Sequence, residues 1–281
     1  MKNGMPLVSV IMAAYNEQER LKDTIESILN QTFTDFEFII VNDGSTDKTQ
    51  EILDYYAKKD ERVRIIVNEK NMGLTKSLNR GLENAIGKCI ARIDAGDIAH
   101  PNRLERQIKF LEENKEVYIL GTYGYWINKN KEIIGSCKFP THPSDIKKNL
   151  FGFVSVAVHP SLLIRGELFE KVGLYNTACS TSMEYDLYMR TIKNGFAIAN
   201  IPEFLIYILR DDKGISINRI KTEFRNQFKI RVKYLPHFFN LRNLIYTIAS
   251  VVFILIPSTL LKKFVDIRIN LSGRNQLPKE V

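Results

Sequence analysis

The chain has few cysteines, and their spacing argues against the sites that cysteines usually build. The 281 residues include three, Cys89, Cys137 and Cys179, which lie far apart. An odd number without a CxxC pair is typical neither of a disulfide framework nor of a zinc site, so we expect a protein of a reducing compartment. The first six residues lead into only a short apolar run, which predicts that there is no secretory signal peptide and that the catalytic part stays in the cytoplasm.

The sequence also lacks the glycine-rich loops that bind phosphate groups directly. No GxGxxG segment follows the first apolar run, and GxxxxGK[ST] occurs nowhere. These absences argue against nicotinamide-dependent dehydrogenases and P-loop enzymes, because both depend on such loops to hold their phosphates.

The composition is that of a globular protein with an uneven distribution of charge. Hydrophobic residues make up 44% and charged residues 26%, which excludes a disordered chain. The length allows one large core, or one core with an appended segment. The net charge is +8, and seven Lys or Arg residues with one acid, Glu223, lie between Arg219 and Arg242. Such a cluster is compatible with nucleic acid, an anionic membrane surface or a solvated face.

Strand and helix signals alternate through the first half of the chain. Short apolar runs predict strands at residues 7–14, 36–41, 63–67 and 89–93, with segments of helical periodicity between them. Asn16, with Glu19 three residues on, predicts a capping box at the start of the first helix. This order predicts an α/β fold with a Rossmann-like, mostly parallel sheet and helices on both faces. Residues 117–211 are interpreted as the other half of the same domain.

Polar residues stand at the carboxyl ends of these predicted strands. Tyr15 and Glu17 follow the first strand, Asp43 follows the second, and Asp94 and Asp97 follow the last. Ligands of such sheets bind beyond the carboxyl ends of the strands, so we expect these side chains to line one site. Carboxylates repel phosphate, but they bind ribose hydroxyls, base edges or a divalent cation such as Mg²⁺ or Mn²⁺. The pattern therefore favours a site for a nucleoside diphosphate conjugate.

Several segments, in this order, resemble glycosyltransferase family 2. They are VSVIMAAYNE (8–17), VNDGSTD (41–47), RIDAGD (92–97), HPS (159–161), VGLY (172–175) and YDL (185–187). The resemblance implies a GT-A fold and transfer of a sugar from a nucleotide donor to an acceptor hydroxyl, with inversion of configuration. The QxxRW segment of processive relatives is absent, so we expect one sugar to be transferred per encounter.

The donor site is expected to form around the first two strands and the RIDAGD segment. The candidate nucleotide-sugar-binding residues are Ala14, Tyr15, Glu17, Asp43, Lys76 and Asp94. The resemblance implies that Glu17 and Asp43 hold the nucleoside. Each has a structural alternative: Glu17 could be a charge at the start of a helix, and Asp43 could be a turn residue. Lys76 is either a diphosphate contact or an exposed helix lysine.

The metal site departs from the family pattern. Asp94 matches the first acid of the family's DxD motif, near the ribose and the metal, but Gly96 stands where the motif has a metal-binding acid. Asp97, one position on, is the candidate that replaces this ligand. The alternative role for Asp97 is that of an acid at the start of the following helix. We expect Asp94 and Asp97 to bind Mg²⁺ or Mn²⁺ less tightly than the full motif does. Arg210 stands near the position of a metal-approaching histidine in many relatives, and is a candidate for contact with the diphosphate.

The catalytic base is assigned by the segment before Tyr-Asp-Leu. The family places an acidic pair there, and its second acid deprotonates the acceptor hydroxyl. This chain has Met183 and Glu184 instead, so Glu184 takes the position of the base and Asp186 is the second candidate. A solvated helix-start acid is the structural alternative for Glu184. His159 either lines the pocket or is a structural histidine.

The last region differs from the rest, and we expect a GT-A domain at 1–217 followed by a separate segment at 218–281. A basic amphipathic helix precedes 18 uncharged residues at 244–261, a length close to the roughly 30 Å core of a bilayer. We therefore expect a membrane-associated extension at the cytoplasmic face, with a buried core helix as the alternative. The acceptor is then expected on a cell-envelope or lipid-linked glycan, and nucleic acid is not expected as a partner.

Two other functional classes stay open at this point. A protein that binds a nucleotide sugar without transferring it would explain the altered DxD motif and acidic pair. A sugar nucleotidyltransferase has a similar βα architecture and metal-binding acids. It is less favoured, because such enzymes carry a glycine-rich, basic loop after the first strand, where this chain has Ala13, Ala14, Tyr15 and Asn16.

Overall fold

The first half of the fold consists of parallel strands linked by helices. The computed structural model describes residues 5–153, 155–179, 181–210, 217–256 and 260, with only the backbone described at 217–220. The elements of the first half are β1 (Val8–Ala14), α1 (Leu21–Leu29), β2 (Phe36–Asn42), α2 (Thr49–Lys59), β3 (Val63–Val67), α3 (Leu74–Glu83) and β4 (Cys89–Arg92). The strands lie in the order β3-β2-β1-β4, and each neighbouring pair is parallel, as the alternating signals predict.

The second half extends the same sheet beyond β4. Its elements are β5 (Ile98–Ala99), α4 (Arg103–Glu113), β6 (Val117–Ile127), β7 (Ile133–Cys137), α5 (Pro143–Asn149), β8 (Leu163–Arg165), α6 (Glu167–Val172), α7 (Met183–Lys193) and β9 (Ala197–Leu209). The strand order continues as β4-β8-β6-β9-β5, and β7 pairs with β6. A short 3-10 turn at His159–Ser161 leads into β8.

The sheet is mixed, so the expectation of a mostly parallel sheet holds only for the first half. Within the described residues, four strand pairs are parallel and four are antiparallel. Two of the antiparallel pairs come from β8, a strand of three residues that lies antiparallel to both β4 and β6, and the other two are β5 with β9 and β6 with β7. The direction of β8 is determined by pairing with segments far away in the chain, and local periodicity contains no information about that pairing.

Apolar side chains form two cores, one on each face of the sheet, and helices cover both faces as predicted. Along β1, Val10 and Met12 belong to one core and Ile11 to the other, because successive strand residues point to opposite faces. The first core takes residues from α1, α2 and α4, and the second from α3, α5, α6 and α7. Close packing on both sides holds the strand ends, and the polar residues that follow them, in fixed positions.

A pair of helices, α8 (Ile217–Tyr234) and α9 (Leu241–Leu255), follows the sheet. Arg231 of α8 is buried, and its guanidinium donates to the carbonyls of Phe151 and Gly152 at 3.1 and 2.8 Å and to Ser250 Oγ of α9 at 2.9 Å. These bonds attach both helices to the preceding domain. The division predicted at residue 217 falls at the start of α8.

The predicted apolar segment 244–261 is only partly covered by α9. Residues 257–259 and 261–281 lie outside the described residues, as does Asp211. In the part of the chain that is described, no helix combines the length and the apolar character needed to cross a bilayer. Membrane association of the C-terminal extension stays a prediction.

Candidate active site

Most of the predicted strand-end residues line one cleft at the carboxyl ends of β1, β2 and β4. The cleft has a volume of about 530 Å³. The predicted residues that line it are Ala14, Tyr15, Glu17, Asp43, Asp94 and Asp97. They come from three separate parts of the chain, and the parallel pairing of β2, β1 and β4 brings them together. We refer to this cleft as the donor cleft.

Asp43 is held by hydrogen bonds that also position the far wall of the donor cleft. Its carboxylate accepts from Asn68 Nδ2 at 2.7 Å, from the Met72 amide at 2.8 Å and from the Gly73 amide at 2.9 Å. Burial by itself would raise the pKa of Asp43, but the hydrogen bonds from Met72, Asn68 and Gly73 lower it below its usual value. The carboxylate is therefore ionised, and it fixes the segment that leads into α3.

The loops after β1 and β2 are joined by hydrogen bonds between them. Asn16 Oδ1 accepts from the Thr46 amide at 2.8 Å, and the Glu17 amide donates to Thr49 Oγ1 at 2.9 Å. The prediction that Asn16 caps the first helix is wrong, since α1 begins at Leu21 and the Asn16 side chain is used by the neighbouring loop. Asn16 also has a left-handed backbone with φ 55°, which an asparagine tolerates in a tight turn. This arrangement leaves the Glu17 carboxylate facing the cleft.

Asp94 forms an ion pair with a buried arginine from the strand below it. Arg92 Nη1 donates to Asp94 Oδ2 at 3.0 Å, and Arg92 Nη2 bonds the other carboxylate oxygen. The Arg92 side chain is buried, whereas that of Asp94 is partly exposed to the donor cleft. The pair is bidentate and therefore restricts the orientation of the Asp94 carboxylate.

Asp97 is buried and only half satisfied. Its Oδ1 accepts from the Leu209 amide of β9 at 2.9 Å, while Oδ2 has no hydrogen-bond partner among the residues described. Burial, together with the negative charge of Asp94, raises the pKa of Asp97 well above its usual value. An unpaired buried carboxylate oxygen needs an explanation, and a bound cation is one that would satisfy it. Asp94 and Asp97 thus fit a divalent cation that takes further ligands from a bound donor.

Gly96 occupies a backbone conformation that an acid would not adopt readily. Its φ is +99°, and its amide donates to Thr24 Oγ1 at 2.9 Å. A Cβ at this position would lie 3.1 Å from Leu209 Cδ2 and 3.4 Å from Arg20 Cδ. A glycine therefore suits this loop geometry better than an acid would.

Glu184, in the first turn of α7, lines a second and smaller cavity of about 130 Å³. We call this cavity the Glu184 pocket. Burial is the main cause that raises the pKa of Glu184. One carboxylate oxygen lies 4.0 Å from His159 Nδ1, but burial lowers the pKa of His159 well below its usual value. The imidazole is therefore neutral, and the contact is not an ion pair.

The walls of the Glu184 pocket include residues of both α7 and α8. Tyr188 lines it, and its hydroxyl has no hydrogen-bond partner among the residues described. Glu223, Gln227 and Arg231 of α8 line the other side. A buried, unpaired hydroxyl beside a carboxylate is suited to a polar ligand, such as a sugar hydroxyl.

Asp186 points away from this pocket and ties α7 to α8. Its carboxylate is buried and accepts from Arg190 Nε at 2.8 Å, from Lys233 Nζ at 3.4 Å and from the Tyr234 hydroxyl at 3.4 Å. Both oxygens of this carboxylate are already hydrogen-bonded by neighbouring side chains. The carboxylate of Asp186 therefore holds α7 against α8, while that of Glu184 faces the pocket.

The comparison with known families agrees with this geometry. The family model described as Glycosyl transferase family 2 matches residues 9–173, which is more than half of the chain. The chain belongs to glycosyltransferase family 2. The matched region contains the strands and loops that build the donor cleft.

Curated relatives of this glycosyltransferase cover nearly the whole chain. It is 36% identical over 273 residues to an uncharacterised glycosyltransferase of Methanocaldococcus jannaschii, a match that covers 94% of each protein. It is 29% identical over 241 residues to the putative teichuronic acid biosynthesis glycosyltransferase TuaG of Bacillus subtilis, covering 85% of this chain and 92% of TuaG. Family and relatives together identify a nucleotide-sugar-dependent transferase.

Solved structures show the same fold at low sequence identity. S. aureus TarS 1-349 in complex with UDP-GlcNAc has a TM-score of 0.65 and 18% identity, covering 81% of this chain and 66% of TarS 1-349. This glycosyltransferase thus spans about two thirds of that crystallised chain. The mannosyltransferase PcManGT of Pyrobaculum calidifontis, in complex with GDP-Man and Mn²⁺, has a TM-score of 0.62 and 17% identity. The match covers 95% of this chain and 81% of PcManGT. The likeness shows a GT-A fold.

Two predicted contacts of this glycosyltransferase do not line the donor cleft. Lys76 lies exposed on α3, in agreement with the alternative interpretation as an exposed helix lysine. Arg210 stacks on Trp126, with its guanidinium carbon 3.7 Å from the ring centroid, and lines a neighbouring cavity of about 390 Å³. Arg20 lines both cavities, so the geometry favours Arg20 over Arg210 as the cation nearest a diphosphate.

Sequence reasoning missed several residues of the donor cleft, among them Arg20, Asn71, Gly73 and Leu74. A weak signal existed for Gly73, since a glycine directly before a helical segment marks a turn that can approach a ligand closely. Arg20 stands three residues after Glu17, and its Nε lies 3.8 Å from the Glu17 carboxylate. Asn71 had no signal in the sequence, because its place depends on the hydrogen bonds that Asp43 makes with the adjoining amides.

Proposed function

We propose that this enzyme transfers one sugar per encounter from a nucleoside-diphosphate sugar to an acceptor hydroxyl, with inversion at the anomeric carbon. The observation that carries the proposal is the contact between the first turn of α7, which carries Glu184, and the start of α3 at the wall of the donor cleft: Thr75 Oγ1 donates to Met183 Sδ at 3.0 Å. The charges of Arg92 and Asp94 also act on the Glu184 carboxylate. A base at the edge of a donor site is the arrangement that direct displacement requires.

The donor side is suited to the nucleoside part of the donor. An ionised Asp43 and Glu17 can accept hydrogen bonds from ribose hydroxyls or base edges, but they repel phosphate. Arg20, at the other end of the cleft, supplies the positive charge that a diphosphate needs. The complexes of TarS with UDP-GlcNAc and of PcManGT with GDP-Man support this class of donor.

Asp94 and Asp97 are the residues that would hold a divalent cation, Mg²⁺ or Mn²⁺. Support comes from the unpaired Oδ2 of Asp97 and from the Mn²⁺ in the PcManGT complex. Within the described ranges, no group of three or more His, Cys, Asp or Glu residues could hold a metal ion by itself. Two protein carboxylates imply binding that depends on the donor's oxygens. When bound, such an ion neutralises charge on the departing diphosphate.

Glu184 acts as the general base in this proposal. Its carboxylate takes the proton of the acceptor hydroxyl while the hydroxyl oxygen forms a bond to the anomeric carbon. The bond between that carbon and the diphosphate oxygen breaks, and the diphosphate leaves with the electron pair. Burial raises the pKa of Glu184 and so makes the carboxylate a stronger base than an exposed glutamate. Tyr188 offers its unpaired hydroxyl to a second acceptor oxygen.

The proposed acceptor is a glycan of the cell envelope, free or linked to a lipid. The similarity to the teichuronic acid biosynthesis protein TuaG supports this class. Polar groups of the Glu184 pocket, including Gln227 and Glu223, suit the hydroxyls of a sugar.

A binding and turnover experiment tests the proposal in two steps. The purified full chain is first screened by thermal shift against UDP-, GDP- and dTDP-sugars, with and without Mn²⁺. The donor that stabilises it is then used in a transfer assay with wild type, Glu184→Gln and the exposed control Glu167→Gln. We expect Glu184→Gln to keep donor binding and to lose turnover, while the control keeps both. No stabilisation by any nucleotide sugar would contradict the donor class, and transfer by Glu184→Gln at the wild-type rate would contradict the base.

A further inference from the structure

Helix α9 buries polar residues and exposes apolar ones, the reverse of an ordinary surface helix. Its buried residues are Asn243, Thr247 and Ser250, which recur at intervals of four and three residues and form one face. This polar face turns towards the protein. Ser250 accepts from the buried Arg231, and Asn243 Nδ2 donates to the Phe238 carbonyl at 2.7 Å.

The opposite face of α9 is a continuous row of large apolar side chains. The residues are Leu241, Ile245, Ile248, Val252 and Leu255. Each of them is between 56% and 74% exposed, and the spacing of three or four residues places them along one side of the helix. We call this row the α9 stripe. Its length is about 21 Å at 1.5 Å per residue.

The α9 stripe cannot turn inward without breaking contacts of the hairpin that α8 and α9 form. Tyr246 and Phe253 pack against the ring of Phe153, with centroids 5.5 and 4.9 Å apart. The guanidinium of Arg231 is fixed by its bonds to two carbonyls and to Ser250. Rotating α9 would leave that buried charge without one of its partners, which is costly. The orientation of the stripe is therefore a property of the packed structure.

The net charge of the two helices α8 and α9 complements an anionic partner. On α8, Arg225, Lys229 and Lys233 are exposed. Across residues 217–256 the sole acid is Glu223, which lines the Glu184 pocket and accepts from Gln227 Nε2 at 3.1 Å. A second copy of the chain would bring like charges together. An apolar stripe on a basic pair of helices matches the acyl and headgroup layers of an anionic bilayer.

We propose that the α9 stripe docks into the surface of an anionic lipid bilayer, with α9 lying in the plane of the interface. The polar face of α9 is occupied by protein, so lipid can reach only the stripe. Helix α8 also forms a wall of the Glu184 pocket through Gln227 and Arg231. Docking of the hairpin therefore brings that pocket close to the lipid headgroups. Vesicle binding does not depend on the donor or on turnover.

Vesicle binding by the full chain is the direct test of the apolar part. Vesicles of phosphatidylcholine with about 30% phosphatidylglycerol, an anionic lipid, are compared with vesicles of phosphatidylcholine alone by co-sedimentation. We expect binding to the anionic vesicles, and at least about a tenfold loss in Ile245→Glu with Ile248→Glu, since two apolar side chains lose their insertion. The matched control is Ile86→Glu with Ile134→Glu, two isoleucines of similar exposure outside the hairpin.

The contribution of the basic residues of α8 to vesicle binding is tested with a second pair of variants. Arg225→Gln with Lys229→Gln should weaken binding to anionic vesicles by about tenfold, because each basic residue near such a surface contributes about 1 kcal/mol. Lys58→Gln with Lys109→Gln, exposed on other helices, serves as the control for a changed net charge. Raising the salt concentration should reduce binding of the wild type.

Three outcomes would overturn the proposal. The first is a wild type that does not sediment with anionic vesicles. The second is undiminished sedimentation of the Ile245→Glu, Ile248→Glu variant. The third is a dimer by light scattering without lipid that the same variant converts to a monomer, which would assign the stripe to a second copy. Circular dichroism and donor-induced thermal shift, measured on every variant, confirm that the fold and the donor cleft are intact and separate this test from that of the proposed function.

Discussion

The donor cleft and the Glu184 pocket use carboxylates under opposite conditions. In the donor cleft, Asp43 has three hydrogen-bond donors and Asp94 has a bidentate arginine. In the Glu184 pocket, the Glu184 carboxylate accepts no side-chain hydrogen bond from the residues described, and its neighbour His159 is neutral. Asp43 and Asp94 are thus fixed by their partners, whereas the Glu184 carboxylate is left available. Within the donor cleft, Asp97 differs from the other two, since one of its oxygens has no partner among the described residues.

The difference matches the role proposed for each carboxylate. A group that binds a ligand benefits from being ionised and oriented before the ligand arrives, and hydrogen bonds do both. A general base must accept a proton, so partners that stabilise its anion weaken it. The pKa of Asp43 is lowered by its hydrogen bonds despite burial, and the pKa of Glu184 is raised by burial. Asp186, with its three partners, resembles the donor-side acids although it stands two residues from Glu184.

The largest expected effect is the loss of turnover in Glu184→Gln. Removing the base should lower kcat by about 10²- to 10⁴-fold, the usual contribution of general-base catalysis, with donor affinity unchanged. Steady-state transfer assays with donor Kd by calorimetry provide the measurement, and Glu167→Gln is the control. A larger loss of kcat in Asp186→Asn, with the fold intact, would reverse the assignment of the base.

Asp43→Asn should damage both stability and donor binding. Replacing the ionised acceptor leaves one of the two amides, Met72 or Gly73, facing an NH₂ group, so the free energy of unfolding should fall by about 2 kcal/mol. Donor affinity should fall as well, because the cleft wall loses its anchor. Urea denaturation and calorimetry measure the two effects, and Asp35→Asn on the surface is the control.

The stability loss in Asp43→Asn carries a pH signature. The folded-state pKa of Asp43 lies below its ordinary value of 3.8, so its stabilisation is complete above that pH and disappears as the pH falls through the folded-state value. Wild type and variant should therefore converge in stability under acid. A difference that stays constant down to the lowest pH would show that packing, and not the charge, is responsible.

Gly96→Asp recreates the family's acid, yet we expect a less stable protein without tighter metal binding. The backbone φ of +99° and the contacts of a new Cβ with Leu209 and Arg20 predict a loss of about 1–3 kcal/mol in unfolding free energy. Gly195→Asp is the matched control, since its φ is +84° but its surroundings are open. Tighter Mn²⁺ binding by Gly96→Asp in calorimetry would mean that the loop adapts to the acid.

The smallest effect concerns the charge of Glu223 in the Glu184 pocket. Because the base must be ionised, kcat/KM should fall as the pH drops through the raised pKa of Glu184. The negative charge of Glu223 contributes to that raised pKa, though less than burial does. Glu223→Gln should therefore shift the acidic limb of the pH profile slightly to lower pH. An unchanged limb, or a shift to higher pH, would show that Glu223 does not act on the base.

Much of the donor side could be predicted because it is built locally. Each acid stands directly after an apolar strand, and parallel strands bring their carboxyl ends to one edge. Tyr15, Asp43 and Asp94 were therefore predicted from short segments. Arg20 was missed, since its place in the cleft depends on how the turn before α1 packs against β9.

The Glu184 pocket and the α9 stripe could not be derived in the same way. The walls of the pocket come from α7 and α8, which are joined by Asp186, Lys233 and Tyr234. In α9, the apolar run predicted a hydrophobic segment but not which side would be buried. That choice is made by Arg231, a residue of α8, through its bond to Ser250.

By itself, the sequence determined the strand and helix order of the first half, the family and the acids of the donor cleft. These follow from short-range rules, namely periodicity, strand ends and motif spacing. The tertiary structure alone decided the reversed strand β8, the separation of Asp186 from the Glu184 pocket and the outward face of α9. Each of these depends on pairing or burial between distant segments, and the energy of such contacts belongs to the pair and cannot be read from either segment alone.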